Sequence, residues 1–116
     1  AGVPAMCDHT GMVAGRIAGW PKIIPNGADG KPDAKVLETS RYCDSVNLGT
    51  RTKAVGAYLT VGFIDTTCPP SSVYAAYNNL KIEKHIFNDI ETGHANTKEA
   101  SAAMRQAALD HVKSRK

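Results

Sequence analysis

The sequence predicts an α/β fold with a parallel sheet, and three observations carry that prediction. Residues 54–64 (AVGAYLTVGFI) form a near-continuous apolar run of strand length. Continuous apolar character, as opposed to strict alternation, suits a central strand covered on both faces. Val73, Ala76, Tyr77 and Leu80 then recur at helical spacing, which predicts an amphipathic helix over 69–80. A shorter strand candidate at 84–89 and a second helical stretch repeat the order. Strand and helix therefore alternate along the chain, the signature of an α/β architecture.

The elements can be justified in order. The small apolar run 1–6 has no initiator Met and reads as the tail of a buried strand over 3–6, so the chain reads as a piece of something larger. A polar loop follows at 7–11. Residues 12–25 mix apolar positions with glycines and close on Gly19, Trp20 and Pro21, predicting a short helix or wrapped loop anchored by Trp20. Residues 25–32 hold prolines and glycines in loop proportions. Asp33 can cap a helix running to about Asn47, with Gly49 placed for its C-terminus. After the 54–64 strand, Thr66 or Thr67 can cap the next helix, and Pro69 and Pro70 suit its first turn, where a missing N–H costs nothing. A polar loop spans 91–95. Asn96 or Thr97 caps the final helix, with Glu99 at capping-box spacing from Asn96. Ala100, Ala103, Met104, Ala107 and His111 form one stripe along that helix.

Composition narrows the function classes. A chain of 116 residues with 42% hydrophobic and 22% charged content is an ordinary globular sequence of one domain at most. The balance of 14 basic against 11 acidic residues leaves +3, too mild for a nucleic-acid footprint. Aromatic residues at 6% are too sparse for a stacking platform on single strands. No stretch approaches the ~18 consecutive apolar residues of a membrane span, so neither nucleic acid nor membrane is an expected partner. Cys7, Cys43 and Cys68 are an odd set, which excludes a complete disulfide framework and leaves one bridge open.

In an open parallel sheet, functional residues gather beyond the carboxyl ends of the strands. Asp65 ends the most hydrophobic strand, and His94 lies in the loop after the next one. A carboxylate that holds an imidazole in the tautomer of a general base needs such a placement. The blander alternative is that Asp65 merely caps the following helix.

The stretch 61–78 (VGFIDTTCPPSSVYAAYN) resembles the acid-bearing segment of the acetyl xylan esterase and cephalosporin C deacetylase family. The family pattern there is a small-residue strand ending Gly-hydrophobic-hydrophobic-Asp, then Pro-Pro and a helix containing Ala-Tyr-Asn. Gly93-His94 is similar to the family's element carrying the catalytic imidazole. Upstream, 41–47 (RYCDSVN) resembles its Tyr-Phe-Asp-x-x-Asn approach, with Cys43 in place of Phe. Clear similarity covers about residues 41–97, and 8–40 align more loosely. The resemblance implies a partial three-layer α/β-hydrolase sandwich with three parallel strands and helices on both faces. It also implies Asp65 and His94 as the acid and base of a Ser-Asp-His triad, in the chain order of that fold. The chain departs from the family more sharply elsewhere: it has no Gly-x-Ser-x-Gly, and Ser40, Ser45, Ser71, Ser72, Ser101 and Ser114 lack the nucleophile-elbow context. The expectation is therefore the carboxyl-terminal part of a serine esterase acting on acetylated oligosaccharide or polysaccharide. Its nucleophile would lie in an amino-terminal part of the same protein, which would then be its partner. The strand at 3–6 would set Cys7, Asp8 and His9 near the site mouth, making His9 a candidate substrate contact beside Trp20, whose face could stack on a sugar ring.

Other readings compete. Cys7, His9, Cys43, Cys68, His85 and His94 could be offered as zinc ligands, yet no Cys-x-x-Cys or His-x-x-x-His pair occurs and Cys7-x-His9 is not a structural-zinc spacing. No metal or other cofactor is expected. A non-catalytic α/β binding or assembly module is the second alternative, with the basic end at 113–116 as its contact to an acidic partner. That end reads more simply as a solvated helix terminus, where cations suit the dipole. Tyr74 and Tyr77 read as core or half-buried, His85 as structural, and His111 as a surface or helix-packing residue. The sequence leaves self-association and compartment open: periplasmic or secreted if the substrate is polysaccharide, otherwise cytoplasmic.

Overall fold

A computed structural model describes residues 8–114. The strand expected over 3–6, Cys7 and the last two basic residues lie outside them. Strand β1 (Gly56–Gly62) pairs in parallel with β2 (Glu83–Asp89), in register from Gly56 opposite Glu83 to Gly62 opposite Asp89. Parallel neighbours need a crossover, and the helix Pro70–Asn79, labelled α3 below, supplies it. Pro70 occupies the first helical position, as expected. Neither Thr66 nor Thr67 caps this helix; Pro69 holds the cap position with no side-chain bond.

Side-chain alternation along the strands separates two faces. Leu59 and Val61 of β1 and Ile86 of β2 pack with Cys68, Val73 and Tyr74, the core on the α3 side. Asn88 belongs to the same face, since the Tyr74 hydroxyl donates to its Oδ1 at 2.7 Å. Thr60 points the other way and donates to Asn96 Oδ1 at 2.8 Å, just ahead of the final helix (α4, Lys98–Lys113). Helices therefore cover both faces, as the resemblance implied. The covering is thinner than the apolar run 54–64 suggested. Among the described residues β1 pairs only with β2, Val61 is its one buried position, and Phe63 and Ile64 are exposed beyond its end.

Thr97 caps α4, its hydroxyl accepting the Ala100 N–H at 3.1 Å. Glu99 consequently falls one position short of a capping box, and Asn96 is spent on Thr60 instead. Ala100, Ala103, Met104 and Ala107 form the inward stripe, while His111 is exposed.

The helix expected over 33–47 is two helices. α1 (Ala34–Ser40) is capped by Asp33, whose Oδ1 accepts the Val36 N–H at 2.9 Å. After it the chain tightens into i→i+3 bonds at Tyr42 and Cys43, and Asp44 adopts extended geometry to cap α2 (Ser45–Leu48). Gly49 does not close a helix in the left-handed region; it opens a short 3-10 turn, Gly49–Arg51, close against Leu80.

The break at Asp44 has a use. Its 0%-exposed carboxylate accepts the N–H groups of Val46 and Asp8 at 3.0 Å each and that of His9 at 2.7 Å. It thereby anchors the 3-10 helix His9–Ala14 that replaces the polar loop expected at its start. Asp8 in turn takes Arg16 in a two-point pair at 2.8 and 3.1 Å, and Gly11 is needed because a Cβ there would collide with the Asp8 carboxylate. Removing Asp44 strands three buried donors. Asp44→Ala should cost at least about 2 kcal/mol in chemical denaturation of the intact protein. A change below roughly 0.5 kcal/mol, the scale of ordinary surface substitutions, would show that Asp44 organises nothing.

Candidate active site

The site forms where β1 ends. Phe63 donates its N–H to Asp89 O at 3.0 Å and Ile64 to Thr92 O at 3.2 Å, so the chain leaving β1 is sewn to the chain leaving β2. Gly62 permits that approach: a Cβ at this position would collide with the carbonyl oxygens of Thr92 and Gly93. The two segments joined in this way carry Asp65 and His94.

Asp65 divides its carboxylate between two tasks. Oδ1 accepts the N–H groups of Thr67 at 2.7 Å and Cys68 at 2.9 Å, turning the chain toward α3. Oδ2 faces His94 Nδ1 at 2.9 Å. The Asp65 side chain is 8% exposed and that of His94 52%. Burial works against ionisation of Asp65. The Cys68 N–H, the His94 ring and the Thr67 N–H together outweigh it and hold the carboxyl below the ordinary carboxylate value. An ionised carboxylate can only accept, so His94 Nδ1 carries the proton and Nε2 is left as the basic nitrogen. Such a pair can take a proton from a nucleophile and return it to a leaving group.

The His94 loop is tied at Thr92 and Thr97 to one carboxylate. The Thr92 and Thr97 hydroxyls donate to the two oxygens of Asp89 at 2.7 and 2.6 Å. These groups hold the Asp89 carboxyl below the usual value, Thr97 most strongly. Gly62 and Asp89 carry no chemistry that marks them in a sequence; the one available signal is their position at strand ends.

Trp20 is 59% exposed, and its backbone N–H donates to Thr67 O at 3.0 Å, beside the Asp65 turn. His9 lies beneath the surface at 2% exposed, with ring Nδ1 lacking a hydrogen-bond partner among the described residues. Ser40, Ser71, Ser72 and Ser114 donate to backbone carbonyls. Of the residues considered for zinc, Cys68 and His94 come together, with Asp65, their ligating atoms within 4.8 Å of one another. That cluster coincides with the hydrogen-bonded pair, and Cys68 is packed in the core with Val61 and Val73. Cys43 and His85 are exposed, the latter tilted against the Tyr58 ring at 6.1 Å.

Comparison with known proteins gives this geometry a setting. Residues 25–112 match the family model of acetyl xylan esterase. An acetyl xylan esterase 1 from a Thermoanaerobacterium species is 35% identical over 62% of this chain and 22% of its own, with a TM-score of 0.59. An acetyl xylan esterase from a Paenibacillus species is 26% identical over 87% of this chain and 33% of its own, with a TM-score of 0.68. The chain thus spans between a fifth and a third of these solved structures. With its parallel strands, helices on both faces and this match, the chain belongs to the acetyl xylan esterase family and has part of an α/β-hydrolase fold.

Proposed function

We propose that the protein containing this chain is a serine esterase that removes acetyl groups from carbohydrate hydroxyls, with Asp65 and His94 as the acid and base of its triad. The observation that carries this reading is the 2.9 Å contact between His94 Nδ1 and the buried Asp65 carboxylate at the carboxyl ends of two parallel strands. The family's substrate class supports the choice of acetylated carbohydrate. The nucleophile belongs to an amino-terminal part of the protein, which also supplies the oxyanion N–H groups.

In this mechanism the serine oxygen attacks the acetyl carbonyl while His94 Nε2 takes its proton. Asp65 stabilises the imidazolium that forms. His94 then protonates the departing sugar oxygen, leaving an acetyl-serine. Water attacks that ester, again giving its proton to His94, and acetate leaves as the serine regains a proton. Trp20 is proposed to offer its ring to the sugar, supported by its exposure and its bond to the Asp65 turn.

Asp65→Asn keeps an oxygen for the Thr67 and Cys68 N–H groups but presents the wrong partner to His94. In the intact enzyme kcat should fall roughly 10⁴-fold with the melting temperature nearly unchanged. Retention of most activity by both Asp65→Asn and His94→Ala would reject the assignment. The 116-residue chain alone should not turn over p-nitrophenyl acetate faster than free imidazole, because the loss of each oxyanion donor costs roughly 10²–10³ in rate and no acyl-enzyme can form. Turnover by the chain alone that disappears in His94→Ala would demand a nucleophile inside it.

A further inference from the structure

We propose that Asp89 is a positioning residue for catalysis, a two-point clasp that fixes the His94 loop against the end of β1. This rests on the reading of Asp65 and His94 as the catalytic pair. Asp89 is the last residue of β2 and stands opposite Gly62 in the sheet register. Its backbone oxygen accepts the N–H of Phe63 at 3.0 Å and that of Thr92 at 3.4 Å. Its carboxylate takes Thr92 on one oxygen and Thr97 on the other. One residue thus grips the strand that carries the acid, the start of the loop that carries the base, and the first turn of α4 where that loop ends.

The arrangement answers a physical need. His94 is half exposed, and its ring is held by Asp65 Oδ2 at 2.9 Å. A loop of glycine, alanine and polar residues would otherwise sample many geometries, each losing the contact to Oδ2. Tying both ends of the loop to one carboxylate removes that freedom without touching the imidazole. Misplacement of a catalytic group by about 1 Å costs on the order of 10²-fold in rate. The hydroxyls add directionality, since each donates to its own oxygen and Thr97 simultaneously accepts the Ala100 N–H at 3.1 Å.

In the intact esterase, Asp89→Ala should lower kcat about 10- to 100-fold, with KM for an acetyl ester nearly unchanged because no substrate contact is lost. Thr92→Val removes one arm of the clasp while leaving the α4 cap in place. It should lower kcat in the same direction, and Thr92→Ser, which keeps the hydroxyl, should restore most of the loss. The Asp89→Ala and Thr92→Val effects should be markedly less than additive, as expected for partners in one contact. If Asp89→Ala does not fold, Thr92→Val and its serine counterpart decide the matter. Wild-type kcat in Thr92→Val, or a loss that serine does not restore, would overturn the clasp. Asp65→Asn and His94→Ala run alongside as references. If they are inactive while the clasp variants keep full kcat, the clasp alone is wrong; if they too remain active, the catalytic reading beneath it has failed.

Discussion

The structure depends on what one carboxylate does with its two oxygens. Asp65 uses Oδ1 to bend the backbone through Thr67 and Cys68 and Oδ2 to hold His94. The first task is structural and the second electrostatic, and they reinforce each other. The backbone bonds fix the carboxylate plane, so the remaining oxygen meets the imidazole at a set angle. They also favour the ionised form against the cost of burial, which keeps the Asp a pure acceptor. An Asp that only capped a helix would bond at that helix's first turn. Here α3 begins after Pro69, with no side-chain cap at all.

The same device recurs along the chain. Asp44 gathers Asp8, His9 and Val46; Asp8 gathers Arg16; Asp89 gathers Thr92 and Thr97. The segments between helices and strands lack the ladder bonds that stabilise the strands. Buried or half-buried carboxylates replace those bonds, each accepting two or three donors. Removal of Asp44 or Asp65 leaves buried backbone donors stranded, which costs more than the bond itself contributes. The apolar core on the α3 side is small, so this polar framework carries much of the local order near the site.

The crossover helix and the final helix were legible because each has a period the side chains obey, and β1 because its apolar run is continuous. Val73, Ala76, Tyr77 and Leu80 spell out α3, and the Ala100–Ala107 stripe spells out the inner face of α4. Asp65 and His94 were legible from their places after strands, and the long match around Asp65-Thr66-Thr67-Cys68-Pro69-Pro70 pointed to the family. The breaks were less legible. Nothing in the spacing of Asp44 says that it would abandon a helix to hold Asp8 and His9, because that demand comes from residues far away in sequence. The choice of Thr97 over Asn96 as cap is likewise tertiary, set by Thr60 claiming Asn96 and Asp89 claiming Thr97. Gly62 and Asp89 reveal their roles only when two strand ends lie side by side. The expectation of a thickly covered β1 came from its continuous apolar run, and the described residues supply less covering than that run implies.

The central claim is that Asp65 fixes His94 as the Nδ1–H tautomer and leaves Nε2 basic. The direct measurement is nitrogen NMR of the intact enzyme labelled at histidine, with the His94 signals identified through His94→Ala, at a pH where the ring is neutral. The account predicts that Nδ1 carries the proton in the wild type and that Asp65→Asn reverses the preference. A neutral His94 protonated on Nε2 in the wild type, or an unchanged tautomer in Asp65→Asn, would contradict it.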